Sequence, residues 1–192
     1  MSNDLLDEAC ALVLIDLQAG ILALPTFTPS AVIVDRAARL ADAFRSTGRP
    51  VVLVHVAWSV DGGDLPPLRV NRPGSQVAPP PEFSVLAPQL GPVAGDIVIT
   101  KRQWGAFTGT ELDLQLRRRG VTQIVLAGIS TSAGVESTAR AAWENGYGLL
   151  VVEDACTDVD AASHTHSMTK IFPRLGYVVT TEEVLNAADQ RS

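Results

Sequence analysis

The stretch QIVLAGISTSAGVESTARAA, residues 123–142, holds an unbroken apolar run, a polar turn containing glycine, and then a helical pattern. Ile124 to Ala127 show no alternation of apolar and polar residues. Such a run reads as a strand covered on both faces, the mark of a parallel sheet. After the turn, Val135, Ala139 and Ala142 recur at helical spacing, and Asn145-Gly146 supplies the stop. A strand that feeds a helix through a tight turn is half of a βαβ unit. The first backbone N–H groups of such a helix have no intrahelical partner, so they can hold an anion or a developing oxyanion. A nucleophile often stands at this junction. Here the turn offers Ser130, Thr131 and Ser132, and then Gly134, which has no side chain at all.

The same reading extends in both directions. Short apolar runs bounded by turn residues lie at Ala11–Ile15, Val51–Val56, Asp96–Ile99, Gly148–Val152 and Tyr177–Val179, giving six strands with Gln123–Ala127. Between them, Ser30 can cap a helix with the stripe Ile33, Val34, Ala37, Leu40, Ala41 and Phe44, which Gly48 and Pro50 terminate. Thr110 and Asp113 open another, carrying Leu112 and Leu116 and ending at Gly120. One more starts near Asp160 and must end by Pro173. Thr180 with Glu183 forms a capping box for the last helix. Repeated strand–helix order predicts an α/β fold: a three-layer α/β/α sandwich with a six-stranded, mostly parallel, Rossmann-like sheet and right-handed crossovers. The chain of 192 residues suits a single domain, 1–192.

One region breaks the rhythm. Residues 58–95 contain eight prolines and little periodicity. A loop this long inside a compact domain usually covers a site or contacts another subunit. Its apolar residues Leu65, Leu68, Val77, Phe83 and Leu86 argue against a purely solvated excursion. The loop can serve as lid, subunit contact or both.

A net charge of −6 disfavours a nucleic-acid surface, which needs a basic face. Arg117, Arg118 and Arg119 sit at a helix end, where cations complement the dipole. No segment reaches the roughly 18 apolar residues of a membrane span. The N-terminus lacks a basic region followed by an apolar one, so no signal peptide is expected. Two cysteines, Cys10 and Cys156, give no disulfide framework and fit a reducing compartment, so the expected location is the cytoplasm.

Ligands of parallel α/β sheets bind beyond the carboxyl ends of the strands, and three such ends carry unusual residues. Asp16 closes the strand LVLID, where partial desolvation raises proton affinity. Lys101 follows the third strand directly and needs a partner, for which Asp16 is the obvious choice. Trp104 and Phe107 flank Gly105 nearby and, with Trp58, are candidate walls of a small-molecule pocket; a core role for these aromatics fits nearly as well. The third is the turn of Ser130 and Gly134.

Together, LVLIDLQ, KRQWGAF and GISTSAGVESTARAA resemble the isochorismatase-like hydrolase superfamily, and the likeness runs from the first strand to TEEVL near the C-terminus. Amidases of that family use an Asp–Lys–Cys triad. The resemblance implies that Asp16 is the acid/base and Lys101 the lysine, while the cysteine position falls on Gly134. It also implies that isochorismatases carry glycine there, protonate a vinyl ether with the Asp and let water attack. Gln18, Trp58, Trp104, Phe107 and Ser130 become the candidate substrate-binding residues, and a cis peptide is implied at Ile129–Ser130. Isochorismatases resemble each other in a Gln near the end of the second strand; here that place falls on Val56, so isochorismate itself is not the expected substrate. Nicotinamidases of the family hold a metal through an Asp-x-His pair after the second strand, but His55 has no carboxylate two residues before it. Asp160 and His164 share a helix face, and capping is the better reading of them. No metal and no cofactor is expected. The resemblance also implies a homo-oligomer, dimer or tetramer. The expectation is a hydrolase acting on a small metabolite through Asp16 without a thiol nucleophile. The alternatives are a degenerate binding protein on the same fold and, disfavoured by Gly134, a cysteine amidohydrolase with Cys156 as substitute.

Overall fold

The computed structural model describes residues 5–66, 69–71, 75 and 77–189. Leu68, among the apolar residues expected to anchor the long loop, lies outside the described residues. The elements in chain order are β1 (Cys10–Ile15), α1 (Ala19–Leu22), α2 (Ser30–Ser46), β2 (Val51–Val56), β3 (Ile97–Lys101), α3 (Leu112–Arg118), β4 (Gln123–Ile129), α4 (Glu136–Glu144), β5 (Gly148–Thr157), α5 (Ala161–His166), β6 (Tyr177–Val179) and α6 (Thr181–Asp189). The six strands form one sheet in the order β3-β2-β1-β4-β5-β6. All five neighbouring pairs run parallel, so the sheet is fully parallel rather than mostly so.

The strands follow from their composition. Every residue of β1 and of β4 is buried, as expected of central strands with helices on both faces. The strand order turns around at β1, which pairs with β2 on one side and β4 on the other. The ends of β1 and β4 therefore flank the crevice where this architecture places a ligand.

The helices bury the stripes their spacing dictates. In α2 the buried residues are Ile33, Val34, Ala37, Leu40, Ala41 and Phe44. Fully burying an aliphatic or Phe side chain contributes roughly 1.5–3 kcal/mol, so this one face fixes the helix against the sheet. Its start differs from the expected cap. Ser30 is the first helical residue, Pro29 holds the cap position, and the Ser30 hydroxyl donates to the Leu22 carbonyl at 2.9 Å. The capping box of α6 is reciprocal: the Thr180 N–H donates to Glu183 Oε2 at 2.7 Å, and the Glu183 N–H to Thr180 Oγ1 at 3.3 Å.

Two features depart from the strand and loop expectations. β5 runs past Glu153 and Asp154 to Thr157, because a register shift between Leu126 and Gly128 lets β4 and β5 pair again beyond it. The end of the Pro-rich loop folds back as a strap, with one-turn 3₁₀ helices at Pro81–Ser84 and Pro88–Leu90 and a bridge between Leu86 and Gln18. Ala87 and Leu90 are buried on it, whereas Val77 is exposed.

Candidate active site

Three elements deliver the central residues. Asp16 follows the last residue of β1 in a left-handed conformation, φ 53°. A non-glycine residue there is uncommon, and such conformations cluster at functional sites. The Asp16 N–H still donates to the Val54 carbonyl at 2.9 Å, so the turn is held from its first atom. Lys101 ends β3, opposite Val56 of β2. With strands about 4.8 Å apart, its stem must cross the end of β2 to reach β1, which a four-carbon chain can do. Nζ meets Asp16 Oδ2 at 2.7 Å, with the Lys101 and Asp16 side chains 1% and 8% exposed. The same ammonium donates to the carbonyl of Trp104.

Gly134 supplies the third side. A Cβ placed on it would lie 2.9 Å from Ile15 Cγ2, 3.1 Å from Asp16 Oδ2 and 3.2 Å from Lys101 Nζ. A side chain at this position would press first on Ile15 and then on both members of the ion pair. Ser130 opens a wide π-turn, Thr131–Val135, whose i to i+5 bond runs from the Val135 N–H to the Ser130 carbonyl at 3.2 Å. The Ile129–Ser130 peptide bond is cis, the conformation the resemblance implies.

Burial raises the Asp16 carboxyl to about 6; Lys101 pulls in the opposite direction and His55 does so more weakly. Asp16 Oδ1 is buried with no hydrogen-bond partner. A carboxyl that titrates near neutrality and keeps one oxygen uncommitted can give a proton to a bound molecule and take one back.

The other candidates fall into place around this centre or away from it. Gln18 is fully buried, but its amide donates to the carbonyls of Val56 (2.9 Å) and Phe83 (3.0 Å) and accepts from the Val56 N–H (2.7 Å). With its donors spent on backbone, Gln18 ties the strap to β2. Trp58 is half-buried, donates its indole N–H to the Arg102 carbonyl at 2.9 Å and lies 6.1 Å from the Phe83 ring. It stands where the strap meets β3. Trp104 contributes its carbonyl to Lys101, yet its side chain is 68% exposed. Phe107 is 8% exposed and packs against Tyr147 at 5.8 Å, within the core.

Asp158 and Thr138, not singled out from the sequence, help Thr131 to hold the turn in position. Asp158 Oδ2 accepts from the Ser132 N–H at 2.7 Å and from its hydroxyl at 2.8 Å. Thr131 donates to the Thr157 carbonyl at 3.0 Å and sits 2.8 Å from His164 Nδ1. Thr138 donates to the Gly134 carbonyl at 2.7 Å and accepts from the Ala106 N–H at 3.1 Å, linking the turn to the Lys101 side. Asp158 could have been found as a strand-end carboxylate, the criterion that found Asp16, had β5 not been read as ending at Val152.

The remaining thiol, histidine and carboxylate candidates have other roles. Cys156 lies within β5, and burial pushes its thiol up to about 12, so no thiolate forms at neutral pH. Asp160 caps α5, accepting from the Ser163 N–H at 3.0 Å and hydroxyl at 2.6 Å. His55 contacts the Ser84 carbonyl at 2.9 Å through Nδ1, which must carry the proton because a carbonyl only accepts. Among the described residues, no group of three His, Cys, Asp or Glu side chains is placed to hold a metal ion. Nor is any helix among them long and apolar enough to cross a membrane.

A doubly wound parallel sheet with a buried carboxylate–ammonium pair at its carboxyl edge, beside a helix-opening turn, defines the class: an α/β protein with its candidate site at the strand ends. The isochorismatase domain matches residues 10–183, and the chain belongs to the isochorismatase family of hydrolases. It is 48% identical over 181 residues to an uncharacterized isochorismatase family protein of Escherichia coli O157:H7, covering 94% of this chain and 96% of the relative. An isochorismatase family protein from Burkholderia thailandensis superposes with a TM-score of 0.93 at 47% identity, covering 96% and 97% of the two chains. A more distant relative, 28% identical over 91% of this chain and 84% of its own, is the maleamate amidohydrolase of Pseudomonas putida.

Proposed function

We propose that the protein hydrolyses a small metabolite by general acid–base chemistry at Asp16, with no thiol nucleophile, and that the substrate is a vinyl ether. The observation that carries this reading is the uncommitted, buried Asp16 Oδ1 on a carboxyl raised to about 6. In the first step the protonated carboxyl gives its proton to the terminal carbon of the C=C–O unit. The double-bond electrons form the new C–H bond, and the ether oxygen stabilises the resulting cation. Water then adds to the cationic carbon that bears the ether oxygen and loses a proton to the Asp16 carboxylate. The hemiketal collapses to a carbonyl compound and an alcohol, and Asp16 regains its starting state. Lys101 holds Asp16 and orients substrate or water, while backbone N–H groups of Ser130 and Gly134 face a carboxylate or developing oxyanion of the substrate.

Amide hydrolysis, the activity named for the Pseudomonas putida relative, would here lack the sulfur that a thioester route requires. The reading is tested by screening vinyl ethers between pH 5 and 8, with mass spectrometry of the products. Turnover that disappears in folded Asp16→Asn supports it, and a chelator should leave the rate unchanged. Binding of a metabolite with no product in either protein would make the chain a sensor or sequestering protein instead.

A further inference from the structure

Among the described residues, two buried side-chain polar atoms lack a hydrogen-bond partner: Asp16 Oδ1 and Arg49 Nε. The first belongs to the site above. The second lies at the opposite edge of the sheet, where the strands begin. There the end of α2, the start of β2, the 93–96 turn before β3 and Arg119 after α3 enclose a cleft of 560 Å³. β2 connects the two edges, and its six residues, Val51–Val56, separate them by about 17 Å at 3.3 Å per residue.

The charges in this cleft do not cancel. Arg45 grips Asp96 with both arms, Nη2 at 2.7 Å and Nε at 3.3 Å. Asp96 also accepts from the Val93 N–H at 3.0 Å. That carboxylate is consumed, and Arg45, which also meets Asp42 Oδ1 at 3.3 Å outside the cleft lining, has no charge left uncompensated. Arg49 donates Nη1 to Thr47 Oγ1 at 2.7 Å, and Arg119 donates Nη1 to the Gln115 carbonyl at 2.9 Å and to its Oε1 at 2.6 Å. Neither guanidinium has a carboxylate partner among the described residues. For Arg119 the helix end is explanation enough, because it reaches a carbonyl of its own last turn. Arg49 follows its helix, and its Nε reaches no carbonyl. Arg49 is half-buried, and of its guanidinium the Nε is the enclosed atom without a partner; an unmet donor there is costly, so it persists where something else completes it.

We propose that this cleft binds a dianionic oxyanion group, a phosphate or a dicarboxylate, held by Arg49 and Arg119. Guanidinium forks match the paired oxygens of such groups. Pro50, Val51 and Val93 offer apolar surface to a small organic body attached to the anion. The site is separate from the hydrolytic one, so the proposal stands or falls without it.

The test uses the full chain and two probes, inorganic phosphate and malonate, each against sodium chloride at equal ionic strength. A saturable rise in melting temperature with either probe is expected. Phosphate alone would assign a phosphoryl group, and malonate alone a dicarboxylate. Arg49→Ala should weaken binding about tenfold or more, the loss expected for one charge-assisted contact. Asp16→Asn should bind as the parent does. If Arg49→Ala fails to fold, NMR of the Arg49 Nε–H in the parent protein replaces it, and that resonance should move on titration. A rise no larger than that with chloride, an equal rise in folded Arg49→Ala, or an unmoved Nε–H signal would overturn the proposal.

Discussion

Asp16 binds a proton in the folded chain across a window, from about pH 4 to about 6, in which an ordinary aspartate has already ionised. Its folded pKa is raised, so the stability it contributes is fully present below the unfolded value and is lost as pH rises through about 6. If Asp16 is the general acid, kcat/KM should fall over the same limb. Lys101 is the largest influence holding that pKa down, so Lys101→Met should move the limb to higher pH; a pH–rate profile with the limb unmoved would remove Lys101 from the proton chemistry. Asp16→Asn should cost about a hundredfold or more, the usual range for removing a positioned general acid. At Gly134 the contacts are 2.9–3.2 Å from a virtual Cβ, against Ile15, Asp16 and Lys101. Gly134→Ala should therefore destabilise by about 1–3 kcal/mol in denaturant titrations and reduce activity, since the methyl presses on Ile15 and on both members of the ion pair.

At the scale of elements, the capping box of α6 invites a simple measurement. Thr180→Ala should cost about 1 kcal/mol of stability and leave turnover alone, because the box lies on a terminal helix away from Asp16. This box, the α2 stripe and the six strands were all legible in the sequence, because each is a local pattern of capping residues or apolar spacing. Asp16, Lys101 and Gly134 were legible as a set through strand-end position and resemblance, and the 2.7 Å pair joins two of them. What was not legible is non-local. Gln18 looks like a ligand in LVLIDLQ, but the strap that consumes its amide is more than sixty residues away. The aromatics near Lys101 share a stretch of chain yet face different surroundings: Trp104 faces solvent, whereas Phe107 meets Tyr147. Asp158 was hidden because Glu153 and Asp154 interrupt the apolar run of a strand that in fact continues to Thr157.

For the whole molecule, the strap is fastened along the edge of the sheet that carries Asp16. Phe83 rests so near Gly20 that a Cβ there would fall 1.8 Å from its ring, and Gln18, His55 and the Ser84 hydroxyl all fasten the same segment. The face turned outward carries Val77 and Val85, 75% and 56% exposed. We expect the chain to associate with copies of itself through this region. Phe83→Asp should then lower both the assembly state in light scattering and the activity. A monomer at micromolar concentration with full activity would leave the strap as a cover for its own site only.

The glycine at position 134 and the depth of both cysteines have a consequence for how the protein ages under stress. Oxidants inactivate thiol enzymes by carrying an accessible thiolate to sulfenic and then sulfinic acid. Here Gly134 stands beside Asp16 and Lys101, Cys10 and Cys156 are 1% and 2% exposed, and the Cys156 thiol is held up at about 12. Hydrogen peroxide at levels that silence a cysteine hydrolase should leave this protein working.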